Sequence, residues 1–533
     1  MAGISDEYRD IVVGGLRTIE GQPYSEVNVA NDQDTILNFY YNRGYPGATL
    51  QSQVTPSANP HQMDVKFAVN PGERQYVRDV LISGLQYTNP DVVRHRIRNL
   101  ESGQPLSQSS LTESQRRLYD LGIFARVDTA LQDPDGDESY KYVLYRIEEA
   151  RKYYLTLGVG AQVGRIGQGD PTLFDAPAGS TGFSPRASIG ISRTNVFGIG
   201  HTVSLQTRIS NIQKRVVFSY LAPHFKGTEK FSLSFSGVYD DSRDVSTFNA
   251  KRQEAYVQLA EKFSKSITIQ YRFGYRHVYV DPNSLKISAA LIPILSQPEK
   301  VGLSSISILH DRRDDPSDSH KGMFNSVDLA YAVPLFGSQT TFARGLLRNS
   351  TYHRIGKDLV FARSTSFGTI IKLNSTEIPL PERFFGGGSV SHRGFPDNQA
   401  GPRDLDTGFP IGGNALLMNN FELRFPLLGD NVGGVIFHDA GNVYSHLSSI
   451  SFSVHQNGLT DFDYMVHAVG FGVRYRTPIG PLRIDLAYSI NPPQFIGFEG
   501  TRAQLYVPVP DPSLRVQQQI SHFQFHFSLG QAF

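Results

Sequence analysis

From about residue 151 onward the chain alternates apolar and polar residues, as in "KFSLSFSGVY", "SITIQYRFGY" and "PLRIDLAYSI". A period of two is the signature of a strand with one apolar face. The last stretch, "SHFQFHFSLGQAF", sets Phe523, Phe525, Phe527 and Leu529 against His522, Gln524, His526 and Ser528, and Phe533 follows. In water, such an edge would invite aggregation. Its apolar face therefore belongs either inside a sandwich or against lipid.

Sixteen strands are predicted: 153–164, 184–194, 199–211, 215–222, 230–241, 251–264, 266–278, 301–311, 321–336, 340–353, 358–373, 412–425, 430–440, 464–476, 480–491 and 520–533. The links between them sort by parity. Odd-numbered links include the long segments 165–183, 279–300, 374–411, 441–463 and 492–519. Even-numbered links include "NVFG", "RTPIGP" and the turn around "LLGDN", and the longer "RRDDPSDSHKG" is dense in turn formers. In an up-and-down barrel all links of one parity lie on one face. Long loops on one face and short turns on the other is the plan of an outer-membrane barrel. A sandwich has no reason to sort its loops this way. The expectation is an all-β transmembrane barrel of about 16 antiparallel strands, its last strand closing against its first, with lipid outside.

Residues 1 to about 150 have a different texture. Two segments, 1–72 and 73–150, repeat the order β-α-α-β-β. The first reads "RDIVVGG", helix through "DTILNFYYNRGYP", then "ATLQSQVTPS" and "QMDVKFAVNPG". The second reads "YVRDVLISGL", "NPDVVRHRIRNLE", "SQSSLTESQRRLYDLGIF", "ARVDTALQDP" and "SYKYVLYRIEEA". Their helix-to-strand junctions, "FYYNRGYPGATL" and "RLYDLGIFARVD", match. Such duplication is stronger than any single strand assignment. The domains expected are 1–72, 73–150 and a barrel over 151–533. "QMDVKFAV" and "YKYVLYRI" are candidate open sheet edges.

Composition fits a barrel. Mean hydropathy is −0.28 and no run of about 18 apolar residues exists, which excludes a membrane helix but not alternating strands. Gly (49), Tyr (26) and Phe (34) are plentiful; Trp, common in membrane girdles, is absent. A formal charge of +1 gives no electrostatic case for nucleic acid. With no cysteine there is no disulfide or thiol chemistry. The start "MAGISDEYRD" is not a secretory signal, so an exported protein is expected to be a mature form or a truncation. No HExxH, Walker or GxSxG motif occurs. "FFGGGSVS" does not sit between strand and helix. Asp311, Asp314, Asp315 and Asp318 lack calcium-loop spacing. Neither enzyme activity, cofactor nor metal is expected.

Together, "HDRRDDPSDSHKGMF", "ERFFGGGSVSHRGFP", "GGNALLMNNFELRFPL", "FHDAGNVY" and "GFGVRYRTPIGPLRIDLAYSI" resemble, in order, the barrel of the BamA/TamA outer-membrane assembly family. The duplicated units are similar to that family's periplasmic POTRA domains. Two departures stand out. Only two such units are present, and Ser-His precedes Arg-Gly-Phe where the family often has Val.

The resemblance implies that loop 374–411 folds into the barrel. It implies that Arg393 meets Glu422 and Asp439, with Phe437 and Gly441 nearby. Gly394 lets the backbone turn and Phe395 anchors the tip. Phe527, Leu529 and Phe533 look like the family's C-terminal recognition signal. Glycine weakens strand pairing, so Gly158, Gly160 and Gly164 in the first strand and Gly530 in the last suggest a lateral gate. An opened gate exposes an edge for β-augmentation. The expected function is assembly of unfolded outer-membrane proteins, with the N-terminal domains in the periplasm. Chaperones or accessory lipoproteins are candidate partners, beside the lipid bilayer. The alternative is a two-partner-type secretion pore.

Overall fold

The computed structural model describes residues 1–533 except 134, 135, 137, 138, 167–172, 175, 176, 178, 179, 375, 376, 430, 478, 479 and 530–533. Its contacts divide the chain into two units. One comprises Met1–Tyr153 with Arg193–Thr202; the other comprises Tyr154–Ser192 with Val203–Phe533.

Within the N-terminal unit, helices start where the sequence supplies caps. The Ser25 side chain accepts from the Asn28 amide ahead of Glu26–Tyr41, and Ser107 accepts from the Ser110 amide ahead of Gln108–Tyr119. Asn89 accepts from the Asp91 amide, with Pro90 in the first turn of Pro90–Arg94. These are the positions at which a side-chain oxygen satisfies an orphan helix N–H. The second repeat follows the expected order: Tyr76–Ser83, two helices, Phe124–Gln132 and Tyr140–Glu149.

Two expectations need correcting. Residues 9–15 are not a strand; Asp6–Gly14 is a helix with Asp6 and Glu7 in its first turn and Val12 buried. Acidic residues suit the positive end of the helix dipole, and short apolar runs do not discriminate helix from strand. The sheet position is taken by Ala2, whose amide donates to the Phe67 carbonyl while Val69 donates back. Nor is "YKYVLYRI" an edge. Tyr140–Glu149 lies between Tyr76–Ser83 and Phe124–Gln132, burying Val143, Tyr145 and Ile147. Its apolar content comes from being central.

Sixteen strands close into one barrel. In chain order they are β1 Tyr153–Ile166, β2 Ser180–Val196, β3 His201–Ser210, β4 Gln213–Ala222, β5 Phe231–Ser242, β6 Ala250–Lys262, β7 Ile267–Val280 and β8 Glu299–Asp311. There follow β9 Gly322–Ala332, β10 Phe342–Ile355, β11 Leu359–Lys372, β12 Ala415–Leu428, β13 Val432–Tyr444, β14 Val466–Thr477, β15 Gly480–Ser489 and β16 Phe523–Leu529. Each pairs antiparallel with its sequence neighbour, and β16 pairs with β1. Closure removes the free edges that would otherwise need protection. No helix among the described residues is long and apolar enough to cross a membrane.

Alternation sorts the wall. Leu155, Leu157 and Val159 on β1, Leu329 and Tyr331 on β9 and Phe523 and Phe525 on β16 are exposed outside. Loop 374–411 packs against the inner wall. Its Ile378, Phe384, Phe395 and Ala400 join Phe342, Met418, Val443 and Val466 of the wall in one apolar cluster. A hairpin of Gln494–Phe498 with Arg515–Gln519 stands in the last long loop.

Candidate functional site

The tip of loop 374–411 is tightly folded. Gly388 has φ +87°, and a β-carbon there would lie 1.9 Å from Asp397 Oδ1. Only glycine combines that left-handed backbone with so close an approach. The turn carries Arg393 into the wall.

Arg393 is 4% exposed and Asp439 is fully buried. Arg393 Nε donates to Asp439 Oδ2 at 2.8 Å and Nη2 to Oδ1 at 2.7 Å. The Arg393 main-chain N–H adds a third bond to Oδ2 at 2.8 Å. Nη1 donates to Glu422 Oε1 at 2.8 Å, and Asp485 lies 4.0 Å away. The guanidinium carbon sits 3.5 Å from the centroid of the Phe437 ring. A planar fork can satisfy two carboxylates and an aromatic face together; an ammonium cannot.

Neighbours complete the arrangement. Asn420 Nδ2 donates to Asp439 Oδ1 and to the Ser391 carbonyl. Arg424 Nε donates to the other oxygen of Glu422, and Arg474 Nη2 lies 2.7 Å from Asp485. His392 Nε2 lies 3.0 Å from the Val466 carbonyl, its ring edge-on to Phe395 at 4.9 Å. Phe395 is fully buried, and the β-carbon of Ala468 lies 2.6 Å from where one on Gly394 would fall. Gly441 follows Asp439 by two residues on β13. With φ +148°, it lets β13 approach β12, where a β-carbon would meet the Leu417 carbonyl at 2.1 Å.

The second locus is the β16–β1 seam. Among the described residues it has three paired positions: Phe527 with Val163, Ser528 with Gln162 and Leu529 with Ala161. A β-carbon on Gly160 would lie 2.8 Å from the Leu529 carbonyl, and one on Gly158 would lie 2.5 Å from Ser188 Oγ. Gly164 lies in β1. Gly530 and Phe533 lie outside the described residues.

The loop tip reaches both sides of this seam. Gln162 Nε2 on β1 donates to Asp397 Oδ2 at 2.6 Å. His526 Nε2 on β16 lies 3.0 Å from the Arg393 carbonyl. A cavity of about 260 Å³ between tip and wall is lined by Gln162, Arg186, Arg208, Asp397, Arg483 and Ser528.

Sequence reasoning did not single out His392, Asp397, Asn420, Asp485, Gln162 or His526. Asp485 and His526 were detectable as polar residues at lumen parity in "PLRIDLAYSI" and "FQFHF". For Asp397 only the three-dimensional path of the loop reveals the partner. Of the acidic turn after β8, Asp314 accepts from the amides of Asp315, His320 and Lys321. Asp311 binds the Arg313 guanidinium. These carboxylates order the turn, and no cluster suited to a metal ion occurs among the described residues.

Residues 195–533 match the model of the Omp85 superfamily domain. Residues 6–72 and 75–150 each match the POTRA model, a surface antigen variable number repeat. The chain is 25% identical over 475 residues to the outer membrane protein assembly factor BamA of Nitratidesulfovibrio vulgaris, covering 88% of this chain and 55% of that one. Against BamA of Neisseria meningitidis the identity is 22% over 494 residues, covering 86% and 59%. The chain thus spans little more than half the length of these curated relatives. The crystal structure of Haemophilus ducreyi BamA lacking POTRA domains 1–3 superposes with a TM-score of 0.74 at 19% identity. It covers 100% of this chain and 98% of that one.

Proposed function

The chain belongs to the Omp85 superfamily, and from that premise we propose that it is an outer-membrane assembly factor. It takes unfolded barrel proteins from the periplasm and templates their strands where β16 meets β1. The N-terminal domains lie in the periplasm and the barrel in the outer membrane. Relatives named outer membrane protein assembly factor BamA, and the POTRA matches ahead of the barrel in this chain, support this placement.

The observation that carries the reading is the loop tip at the seam: Asp397 accepts from Gln162 on β1, and the Arg393 carbonyl lies 3.0 Å from His526 on β16. Opening the β16–β1 ladder frees two strand edges. An incoming strand replaces the ladder's bonds by β-augmentation. The driving force is burial of the client's outer face in hydrocarbon, so no nucleotide is required. The Arg393 cluster is the positioning element: it holds the loop in the lumen while the seam exchanges partners. Accessory lipoproteins and chaperones would deliver clients to the N-terminal domains.

The chain has no cysteine, so a seam lock can be built cleanly. Ala161→Cys with Leu529→Cys, register partners across β1 and β16, is oxidised in proteoliposomes. Oxidation should stop accelerated folding of an added barrel client, and reduction should restore it. Undiminished client folding with the lock fully closed rejects templating at this seam. Passage of an added exoprotein without client folding would favour secretion instead.

A further inference from the structure

The outer wall over β8–β12 carries a hydrogen-bonded polar chain where the alternation calls for apolar side chains. His310 shares its face with exposed Ile306 and Ile308, Asn325 with Met323 and Leu329, and Asn349 with Leu347. Arg363 and Thr365 share a face with Ile371, and Asn419 with Phe421, which stacks on Phe361. The lumen face is the other parity, where Asp328, Arg344 and Arg348 line an internal cavity.

The links run from strand to strand. Asn325 Nδ2 lies 3.3 Å from His310 Nδ1, and Asn349 Nδ2 donates to Asn325 Oδ1. Arg363 Nη1 donates to Asn349 Oδ1 at 3.4 Å and Nη2 to Thr365 Oγ1 at 2.8 Å. Thr365 Oγ1 donates to Asn419 Oδ1 at 2.8 Å. Apolar side chains flank the chain along the strands: Leu359 and Phe361 precede Arg363 and Phe367 and Ile371 follow Thr365, while Leu417 and Phe421 bracket Asn419.

The row starts at the turn end of the wall, where His310 is the last residue but one of β8, and enters the apolar band at Asn349, Thr365 and Asn419, inside β10, β11 and β12. The partners of Arg363 are neutral oxygens, and among the described residues no carboxylate pairs with it. An arginine facing hydrocarbon is costly in a barrel, and the cost falls when water or an anion reaches it. A bilayer offers one anionic group everywhere along its surface, the lipid phosphate. A guanidinium beside amide and hydroxyl donors is the chemistry that binds it.

Taking the wall to face lipid, as in the function proposed above, we propose that this polar chain is a phospholipid-headgroup site. It draws the phosphate of a neighbouring lipid into the apolar band at Arg363 and Asn349, dimpling the bilayer on a wall distant from the seam.

The chain contains no tryptophan, so one introduced Trp reports its surroundings unambiguously. Phe361→Trp sits one outward position from Arg363. Phe235→Trp serves as reference, on an apolar stretch where Phe235 pairs with Tyr220 and Val257. Proteoliposomes of phosphatidylethanolamine and phosphatidylglycerol carry nitroxide quenchers on either headgroup or acyl chain. Headgroup quenching at Phe361→Trp should exceed the reference several-fold. It should drop to the reference level when Arg363→Leu and Asn349→Leu are added. Equal headgroup quenching at the two Trp sites overturns the proposal, and this comparison stands even if the leucine variant does not fold. Quenching at Phe361→Trp by neither label, with the reference quenched by acyl label, means another protein copy covers the wall and also overturns it. An unquenched reference would instead mean that the barrel is not in lipid.

Discussion

Gln162 on the first barrel strand donates to Asp397 at the loop tip across 2.6 Å, the same tip whose Arg393 carbonyl lies 3.0 Å from His526 on the last strand. One loop thus touches both margins of the barrel seam. A hydrogen bond to a carboxylate contributes about 1.5–3 kcal/mol, which is roughly tenfold or more in an opening equilibrium. Asp397→Ala should therefore raise amide exchange in β1 and β16 by about that factor, while β10 and β11 stay protected. Unchanged exchange at Gln162 and Ser528 would show that the tip does not restrain the seam.

Replacing Arg393 with Ala removes both guanidinium bonds from a fully buried Asp439 and leaves it the main-chain N–H of residue 393 and the Asn420 amide. An orphaned buried charge costs about 3–5 kcal/mol, largely because its desolvation is left uncompensated. Arg393→Ala should lower the denaturant midpoint of the folded barrel accordingly, and Arg393→Lys should rescue it only in part. Adding Asp439→Asn to Arg393→Ala should recover stability, since the orphan is then neutral. Additive losses in the double variant would mean that the two residues are not coupled.

Gly160 faces the Leu529 carbonyl so closely that a β-carbon would fall 2.8 Å from it. Gly160→Val therefore pushes the two seam strands apart without touching the Arg393 cluster. The oxidation yield of Ala161→Cys with Leu529→Cys should fall in the Gly160→Val background, and barrel unfolding should be nearly unchanged. A yield equal to that of the unmodified seam would argue that the backbone yields here at no cost.

Sixteen strands were legible because a half-exposed wall needs a period of two, and Phe523, Phe525 and Phe527 display it openly. Arg393, Glu422 and Asp439 could be named together only through a family likeness; the alternation in "NNFELRF", with Phe421, Leu423 and Phe425 on one face, puts Glu422 on the other but cannot pair it with a residue far along the chain. Asp6–Gly14 was misread because four residues, "IVVG", fit either period, and Ala2 took the sheet position instead. The hairpin of Gln494–Phe498 with Arg515–Gln519 escaped because its strands are five residues each. Contacts such as Gln162 with Asp397 join residues whose proximity depends on barrel closure and loop path together, and local pattern carries no trace of them.

Glu149 offers a test at acid pH in the N-terminal unit. One carboxylate oxygen accepts from the amides of Gln86, Tyr87 and Thr88 at 3.3, 3.0 and 2.7 Å and from Thr88 Oγ1 at 2.7 Å. Burial alone would raise its pKa, but the hydrogen bonds from Thr88, Tyr87 and Gln86 outweigh it and hold the carboxyl below its ordinary value. A depressed carboxyl stabilises the fold above its unfolded pKa, and that stability disappears as pH falls through the folded value. Protection of the Thr88 amide against exchange should thus be constant from neutral pH down to about pH 5 and decline below it. Glu149→Gln should weaken protection at neutral pH and flatten the acid dependence. An acid-side decline that persists undiminished in Glu149→Gln would place the titrating group elsewhere.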